Sequence, residues 1–380
     1  MTEHRPGESA AAHGPLYIFA GGGTGGHIYP ALAVAEALER MTPGARMRFF
    51  CSDRAIDSRI LSRTSYEFVP LAVRGLSMRP DRLARFAVRQ CREYHRVRAM
   101  LRSAPPVAVL GTGGFASAPA VLAAHRLGLP VGVLNVDAVV GRANRFLARF
   151  ADRIFVQFTT TVIQCGGTVD RVQTVGCPLR AAFNQADPDR AIRRLALDPA
   201  KKTLLITGAS SGAASINRAV ERLLLRLEQF AEDWQIVHLT GLADHERCRR
   251  AYEGTRLAHV LIDYDDDMPD LYAAADLLVG RAGAISVAEY AAAGVPAICL
   301  PYPYHRDQHQ RRNAEPLVAA GAAVIVEDRP DDPEKTAEQL YVQLCELMGD
   351  ADRREQMAQA ARKLVHTDAA EVIARWLVDH

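Results

Sequence analysis

Residues 276–313 read DLLVGRAGAISVAEYAAAGVPAICLPYPYHRDQHQRRN. Asp276 to Val279 is a short apolar run of the kind buried in a parallel sheet, and Gly283 supplies the tight turn that aims the chain into a helix from about Ala284. Gly294 followed by Pro296 punctuates the end of that helix, after which Ala297 to Leu300 returns to the sheet and a polar loop follows. The unit is βαβ. At the helix start, Gly283, Ala284 and Ser286 leave backbone N–H groups uncovered where the helix dipole favours negative charge, which suits a diphosphate. Glu289 lies in the first turns. A lone Glu in a helix is ordinarily solvated, but an ionised carboxylate only accepts, and both hydroxyls of a ribose can donate to it. His309, Gln310 and Asn313 add the donors and acceptors that sugar hydroxyls require. Nucleoside, diphosphate and sugar would lie in a row.

The same grammar recurs outward from this stretch. Strand LYIFA (16–20) leads into GGGTGGH (21–27) and a helix from Pro30, whose missing N–H suits a first turn. Gly21, Gly23 and Gly26 spell G-x-G-x-x-G, but a nicotinamide enzyme needs an acid about 20 residues further on, and Asp53 comes late for that. Strand VAVL opens onto Gly111-Thr112-Gly113-Gly114, and strand TLLIT onto Gly208-Ala209-Ser210-Ser211-Gly212. With the turn at Gly283 there are four strand-to-glycine-to-helix junctions, two in each half, and parallel sheets present such junctions at their carboxyl ends. The expected fold is α/β, two Rossmann-like domains facing a central cleft. Residues 1–14 form a flexible polar N-terminus, 15–185 a first domain, 200–365 a second, and 366–380 a final helix. Asp368 with Glu371 reads as a capping box for that helix.

Composition bounds the function. With 380 residues, 49% of them hydrophobic, the chain can bury the cores of two domains. A formal charge of +2 gives no reason to expect nucleic acid as a partner. The 7 cysteines show no C-x-x-C pair and no metal-ligand spacing, which fits a reducing compartment. No stretch is long enough to span a bilayer, so membrane contact would be peripheral. Residues 74–102 stand apart: nine arginines, at 74, 79, 82, 85, 89, 92, 96, 98 and 102, face only Asp81 and Glu93, with Leu83, Phe86 and Val88 interleaved. This is either an anionic-membrane surface, at about 1 kcal/mol per well-placed basic residue, or a solvated amphipathic helix.

The stretches GGGTGGHIYPALAVAEAL, GTGGFASAPAVLAAHRLGLP, GCPLR, GASSGA and RAGAISVAEYAAAGVPAICLPYP with HQRRNA, spanning about residues 15–330, together resemble the MurG family. These are glycosyltransferases of family 28 with the GT-B architecture, which complete the lipid-linked peptidoglycan precursor. The resemblance implies UDP-GlcNAc as donor, a polyprenyl-diphosphate-linked acceptor and a place at the cytoplasmic face of the inner membrane, reached through residues 74–102, with no cofactor and no metal. It puts Thr24, Gly25 and Gly26 near the donor sugar and diphosphate and His27 beside the acceptor. Arg180 and Ser210 would contact the diphosphate. Ala284, Ile285 and Ser286 would meet its phosphate oxygens, Val287 and Ala288 would continue that turn, and Glu289 would meet the ribose. His309 and Gln310 would read the GlcNAc hydroxyls, with uracil held by backbone near Asp265. His27 is the candidate general base, because imidazole titrates near neutrality.

Two stretches depart from the family pattern. Where family members usually carry H-E-Q-N, this chain has Leu134, Asn135, Val136 and Asp137, which puts a charge in place of an amide; GASSGA also stands where G-G-S-Q-G-A is common. The changes leave the UDP half largely intact and bear on acceptor and sugar recognition. A related glycosyltransferase with another lipid or sugar acceptor, a UDP-GlcNAc epimerase of the same architecture, and a non-catalytic docking partner remain the alternatives. The acidic run Asp263, Asp265, Asp266, Asp267 contains D-x-D, a manganese motif of the other major glycosyltransferase architecture. Four glycine junctions over two domains point away from that architecture, and a solvated loop is expected.

Overall fold

The computed structural model describes residues 14–73, 75, 80–165, 169–208, 212–366 and 368–380. They fall into two compact units. One holds the residues up to Val136, Val140–Arg180 and the C-terminal residues to His380; the other holds Asp137–Val139 and Ala181–His366.

The first unit is built on seven parallel strands: β1 (Leu16–Gly21), β2 (Arg46–Ser52), β3 (Glu67–Leu71), β4 (Ala108–Gly113), β5 (Val131–Asn135), β6 (Arg153–Val156) and β7 (Val172–Thr174). Their order is β3-β2-β1-β4-β5-β6-β7. The second unit has six, again all parallel: β8 (Lys202–Thr207), β9 (Trp234–Leu239), β10 (Ala258–Ile262), β11 (Leu277–Gly280), β12 (Ala297–Cys299) and β13 (Ala323–Ile325), ordered β10-β9-β8-β11-β12-β13. Each is a doubly wound Rossmann-like sheet. The direction of winding reverses between β1 and β4 and between β8 and β11, and a crevice for ligands opens beyond the strand ends at such a point. Central strands are covered by helices on both faces, so they read as unbroken apolar runs, as in LLIT and LLVG.

Three local expectations are corrected. The first helix spans Gly25–Met41 and so begins five residues before Pro30, which is buried inside it. Thr24 is extended at the N-cap, and Gly25, Gly26 and His27 fill the first turn, where N–H groups need no helical partner; Pro30 then removes one bond without ending the helix. Burial of Ile28, Leu32, Val34 and Leu38 compensates, at roughly 1.5–3 kcal/mol per large apolar side chain. The segment expected as a polar loop after β12 becomes a helix at His309–Ala319, so His309, Gln310 and Asn313 are helical. At the last helix, Ala369–Val378, the Asp368 side chain makes no capping bond. Glu371 instead accepts from Arg40 Nη2 at 2.8 Å, and Trp376 packs edge-on against Phe155 at 5.7 Å, which seats this helix in the first unit.

The arginine-rich stretch forms a helix over Pro80–Ser103, while Arg74 and Arg79 lie outside the described residues. Val97, Leu101 and Glu93 are buried, and the half-buried Phe86 packs edge-on against Phe115 at 5.6 Å within its own unit. Arg85, Arg89, Arg92, Arg96 and Arg102 are exposed, and Val88 is 68% exposed among them. Among the described residues no helix is long and apolar enough to cross a membrane.

Candidate active site

In the first unit the chemistry gathers around His27. Its Nδ1 lies 2.9 Å from the carbonyl oxygen of Thr112 at the end of β4. A carbonyl only accepts, so Nδ1 carries the proton and, in the neutral ring, Nε2 carries the lone pair. Two glycines let the second junction lie flat against the imidazole. A Cβ at Gly113 (φ 108°) would come within 2.8 Å of the His27 ring, and one at Gly114 (φ 75°) within 2.5 Å of the Gly22 carbonyl oxygen. Both the approach and the left-handed backbone exclude a side chain.

The glycine loop before His27 is held from below by Asp57, which the sequence reading had not singled out. Its carboxylate is fully buried and accepts from the backbone N–H of Gly23 at 2.8 Å and of Ser52 at 2.9 Å, and from Ser52 Oγ at 2.6 Å. Arg54 Nη1 donates to the Gly23 carbonyl at 2.9 Å. The loop is thus anchored through its own backbone, and Thr24 is left exposed at its tip. The Arg180 guanidinium lies over the Tyr29 ring at 5.0 Å, two residues along the helix from His27. Asn144 is buried in the same unit: its Nδ2 donates to the Leu134 carbonyl and to Asn135 Oδ1, both at 3.1 Å, while Oδ1 has no hydrogen-bond partner among the described residues.

The second unit contains a cavity of ≈ 420 Å³ whose walls include Gly212, Ser215, Gly283, Ser286, Tyr302 and Gln310. Two helix N-termini open onto it, those of Ala214–Leu227 and Ala284–Ala293. Arg281 ties them together. Its Nη2 donates to Ser215 Oγ at 2.7 Å, and its Nη1 donates to Asp328 Oδ2 at 2.8 Å and to the Leu300 carbonyl at 2.9 Å. Ser215 Oγ in turn donates to the same Asp328 oxygen at 2.6 Å. Arg218 and Arg329 also line the cavity. Asp328 and Arg281 balance each other, so two further guanidinium groups and two helix dipoles leave the wall electropositive, as an anionic ligand requires.

The expected residues sort clearly. Ser286 and Gln310 line the cavity, and Ala284, Ile285, Val287 and Ala288 belong to the first turns of the helix that opens on it. That helix starts after Gly283 and ends at Gly294, which takes the left-handed conformation (φ 64°) as expected. Glu289 lies on the same helix, where Tyr272 Oη donates to its Oε2 at 3.3 Å. Asp265 pairs with Arg194 Nη1, on the helix Pro188–Leu195, at 2.7 Å and accepts the Asp267 N–H from its own loop at 2.8 Å, so both carboxylate oxygens are engaged. Asp137 accepts from Asn313 Nδ2 at 3.1 Å. Ser210 lies outside the described residues.

Beside Gln310 sits an aromatic cluster. His305 stacks on His309 at 4.2 Å, and Tyr302 meets His305 at 4.8 Å. Burial lowers the pKa of His305, helped by the neighbouring His309, while Asp307 and Asp137 work against the shift. Arg281, Asp328, Ser215 and Asp57 were missed in the sequence. Arg281 had a visible signal, a charged residue directly after the apolar run of β11; Asp328 acts through partners 47 and 113 residues away, and Asp57 reaches the glycine loop 34 residues before it.

The chain matches the Glycosyltransferase family 28 N-terminal domain over residues 17–156 and the Glycosyltransferase family 28 C-terminal domain over residues 203–373. Curated relatives named UDP-N-acetylglucosamine--N-acetylmuramyl-(pentapeptide) pyrophosphoryl-undecaprenol N-acetylglucosamine transferase are similar along nearly the whole length. The protein from Geobacter metallireducens is 35% identical, covering 94% of this chain and 96% of the relative. That from Desulforamulus reducens is 33% identical with the same coverage. Among solved structures, Acinetobacter baumannii MurG superimposes with a TM-score of 0.75 at 26% identity, over 97% of this chain and 100% of that one. The UDP-GlcNAc 2-epimerase of Neisseria meningitidis bound to UDP-GlcNAc reaches 0.67 at 16% identity, over 96% of this chain and 100% of that one, a likeness of fold alone.

Proposed function

The chain belongs to glycosyltransferase family 28, and on that premise we propose that it transfers GlcNAc from UDP-GlcNAc to undecaprenyl-diphosphate-MurNAc-pentapeptide (lipid I), giving lipid II for peptidoglycan. It is a UDP-GlcNAc-dependent N-acetylglucosaminyltransferase. The observation that carries the reading is near-full-length similarity to enzymes named for that reaction, at 35% identity over 94% of the chain. The electropositive cavity at two helix N-termini supports it, because a nucleoside diphosphate sugar brings its negative charge to such a place.

The second unit binds the donor. Backbone N–H groups at Ala284–Ser286 meet the phosphate oxygens, Glu289 accepts from the ribose hydroxyls, and backbone near Asp265 meets uracil. Ser286 and Gln310, which line one cavity, support the sugar and diphosphate assignment. Thr24, Gly25 and Gly26 are assigned to the donor sugar and diphosphate by the resemblance alone.

In the reaction the acceptor hydroxyl attacks the anomeric carbon, the bond from that carbon to the diphosphate oxygen breaks, and configuration inverts. His27 Nε2 takes the hydroxyl proton as the new bond forms, and the Thr112 carbonyl at Nδ1 stabilises the imidazolium so produced. UDP leaves with one more unit of charge, which the helix N-terminus and Arg180 offset electrostatically. No step in this sequence calls on a metal. The exposed arginines of the Pro80–Ser103 helix hold the enzyme at the anionic cytoplasmic face of the inner membrane, where the lipid-linked acceptor is found.

The test is UDP release from UDP-GlcNAc by purified protein, with and without a short-chain lipid I analogue, in EDTA. Strong stimulation by the analogue is expected. Conversion of UDP-GlcNAc to its 2-epimer without any acceptor, with no net UDP release, would instead assign an epimerase, and binding without stimulation would assign a different acceptor.

A further inference from the structure

Donor-sugar recognition on this reading rests on His309 and Gln310, and the structure records how each is oriented. Gln310 Oε1 accepts from the backbone N–H of Tyr302 at 2.9 Å. A backbone N–H only donates, so the amide oxygen must face it, and Gln310 presents its Nε2 donor group elsewhere. His309 Nδ1 lies 2.9 Å from Asp307 Oδ1, and the same oxygen accepts the His309 backbone N–H at 3.3 Å. Gln308 between them adopts the left-handed conformation, φ 48° and ψ 33°, rare for a residue with a side chain. That turn folds the Asp307 carboxylate back onto the ring two residues ahead. His305 stacks on the ring at 4.2 Å with its plane tilted by 27°.

A free neutral histidine can place its proton on either nitrogen, and the hydrogen bond at one nitrogen decides which. We propose that Asp307 is a positioning residue for donor-sugar recognition: it holds His309 in the Nδ1-protonated tautomer, making Nε2 a hydrogen-bond acceptor for a sugar hydroxyl, with His305 clamping the ring plane. Burial raises the pKa of Asp307, but hydrogen bonds from the His309 ring and backbone, and the charges of His309 and His305, outweigh it and lower the pKa, so the carboxylate is ionised and acceptor-only at neutral pH. The site then offers an acceptor at His309 beside a donor at Gln310. That pattern suits sugar hydroxyls, each of which both donates and accepts. The proposal rests on the assignment of His309 and Gln310 to the donor sugar.

The experiment has two readouts. With histidine labelled by nitrogen-15, long-range proton–nitrogen spectra well above the imidazole titration range give the tautomer of His309, its signals identified by their loss in His309→Gln. Steady-state kinetics with UDP-GlcNAc, and inhibition by UDP, give the second. The expected results are an Nδ1–H pattern in the native protein and an Nε2–H pattern in Asp307→Ala. The variant should raise KM for UDP-GlcNAc by about five- to tenfold with kcat and UDP inhibition unchanged, the loss of one modest hydrogen bond, and Asp307→Glu should recover part of it. An Nε2–H pattern in the native protein overturns the proposal, as does an unchanged KM in Asp307→Ala when His309→Ala raises it. If the Nδ1–H pattern holds but His309→Ala leaves KM unchanged, the sugar assignment itself falls and takes the proposal with it.

Discussion

Asn313 is fully buried, and its side chain spans both sides of a polar gap: Nδ2 donates to Asp137 at 3.1 Å while Oδ1 accepts the backbone N–H of Ala138 at 2.8 Å. Nδ2 also donates to the Ala282 carbonyl at 3.2 Å, one residue before Gly283. The carboxylate that stands where the family's motif ends in an amide is therefore partnered locally. Asn313→Ala is expected to destabilise the fold by about 2–4 kcal/mol, because it strands buried polar groups, and to lower donor affinity with it. Asp137→Asn keeps an oxygen acceptor for Asn313 and should leave the melting temperature within a few degrees of the native value. Thermal melts of the two variants side by side check this; equal destabilisation would contradict it.

The Thr112 carbonyl at His27 Nδ1 fixes Nε2 as the proton-accepting nitrogen. His27→Ala should lower kcat by about 10²–10⁴-fold, the usual worth of general base catalysis, with KM for UDP-GlcNAc little changed. Single-turnover assays with the lipid I analogue measure it. A rate within threefold of native would remove His27 from the chemistry.

On the proposed assignment Glu289 accepts from two ribose hydroxyls, and hydrogen bonds to a charged group contribute about 1.5–3 kcal/mol each. Glu289→Gln should therefore weaken both UDP and UDP-GlcNAc by roughly tenfold or more, a loss calorimetry resolves. Tyr272→Phe removes the 3.3 Å bond to Oε2 and should change affinity by less than about threefold. Loss of sugar-nucleotide affinity without loss of UDP affinity would place Glu289 at the sugar instead.

Acid should unfold the second unit through His238. This residue on β9 is completely buried between Tyr252 Oη at 3.1 Å and Asn217 Oδ1 at 3.0 Å, and burial pushes its pKa down to about 3. The unfolded chain takes up the proton at the ordinary imidazole value, near 6.5. Its contribution is thus fully present above that value and is lost as pH falls toward about 3, roughly a factor of ten in the folding equilibrium per pH unit. Denaturant titrations from pH 7 to pH 4 should show this slope, and His238→Gln should flatten it.

Much of this was legible in the chain because the grammar is local. The LLVG run, Gly283 and Gly294 gave strand, turn and helix end within 20 residues, since each depends only on its neighbours. The helix start at Gly25 was not legible, because Pro30 pointed to a later start and the tie at Asp57, 34 residues from Gly23, is tertiary. His309 and Gln310 were found as residue types, but their helix was hidden by a polar run with no apolar periodicity until Leu317 packs. Arg281 and Asp328 are 47 residues apart, and only the sheet brings them together.

The measurement closest to the central claim is the structure of the product. UDP-GlcNAc and a short-chain lipid I analogue, incubated with the protein in EDTA, should yield the analogue enlarged by a single N-acetylhexosamine. The proton coupling at its new anomeric centre should report the β configuration, inverted from the α-linked donor, and none should form with His27→Ala. An α-linked product, an unmodified analogue beside consumed donor, or full activity in His27→Ala would contradict the account.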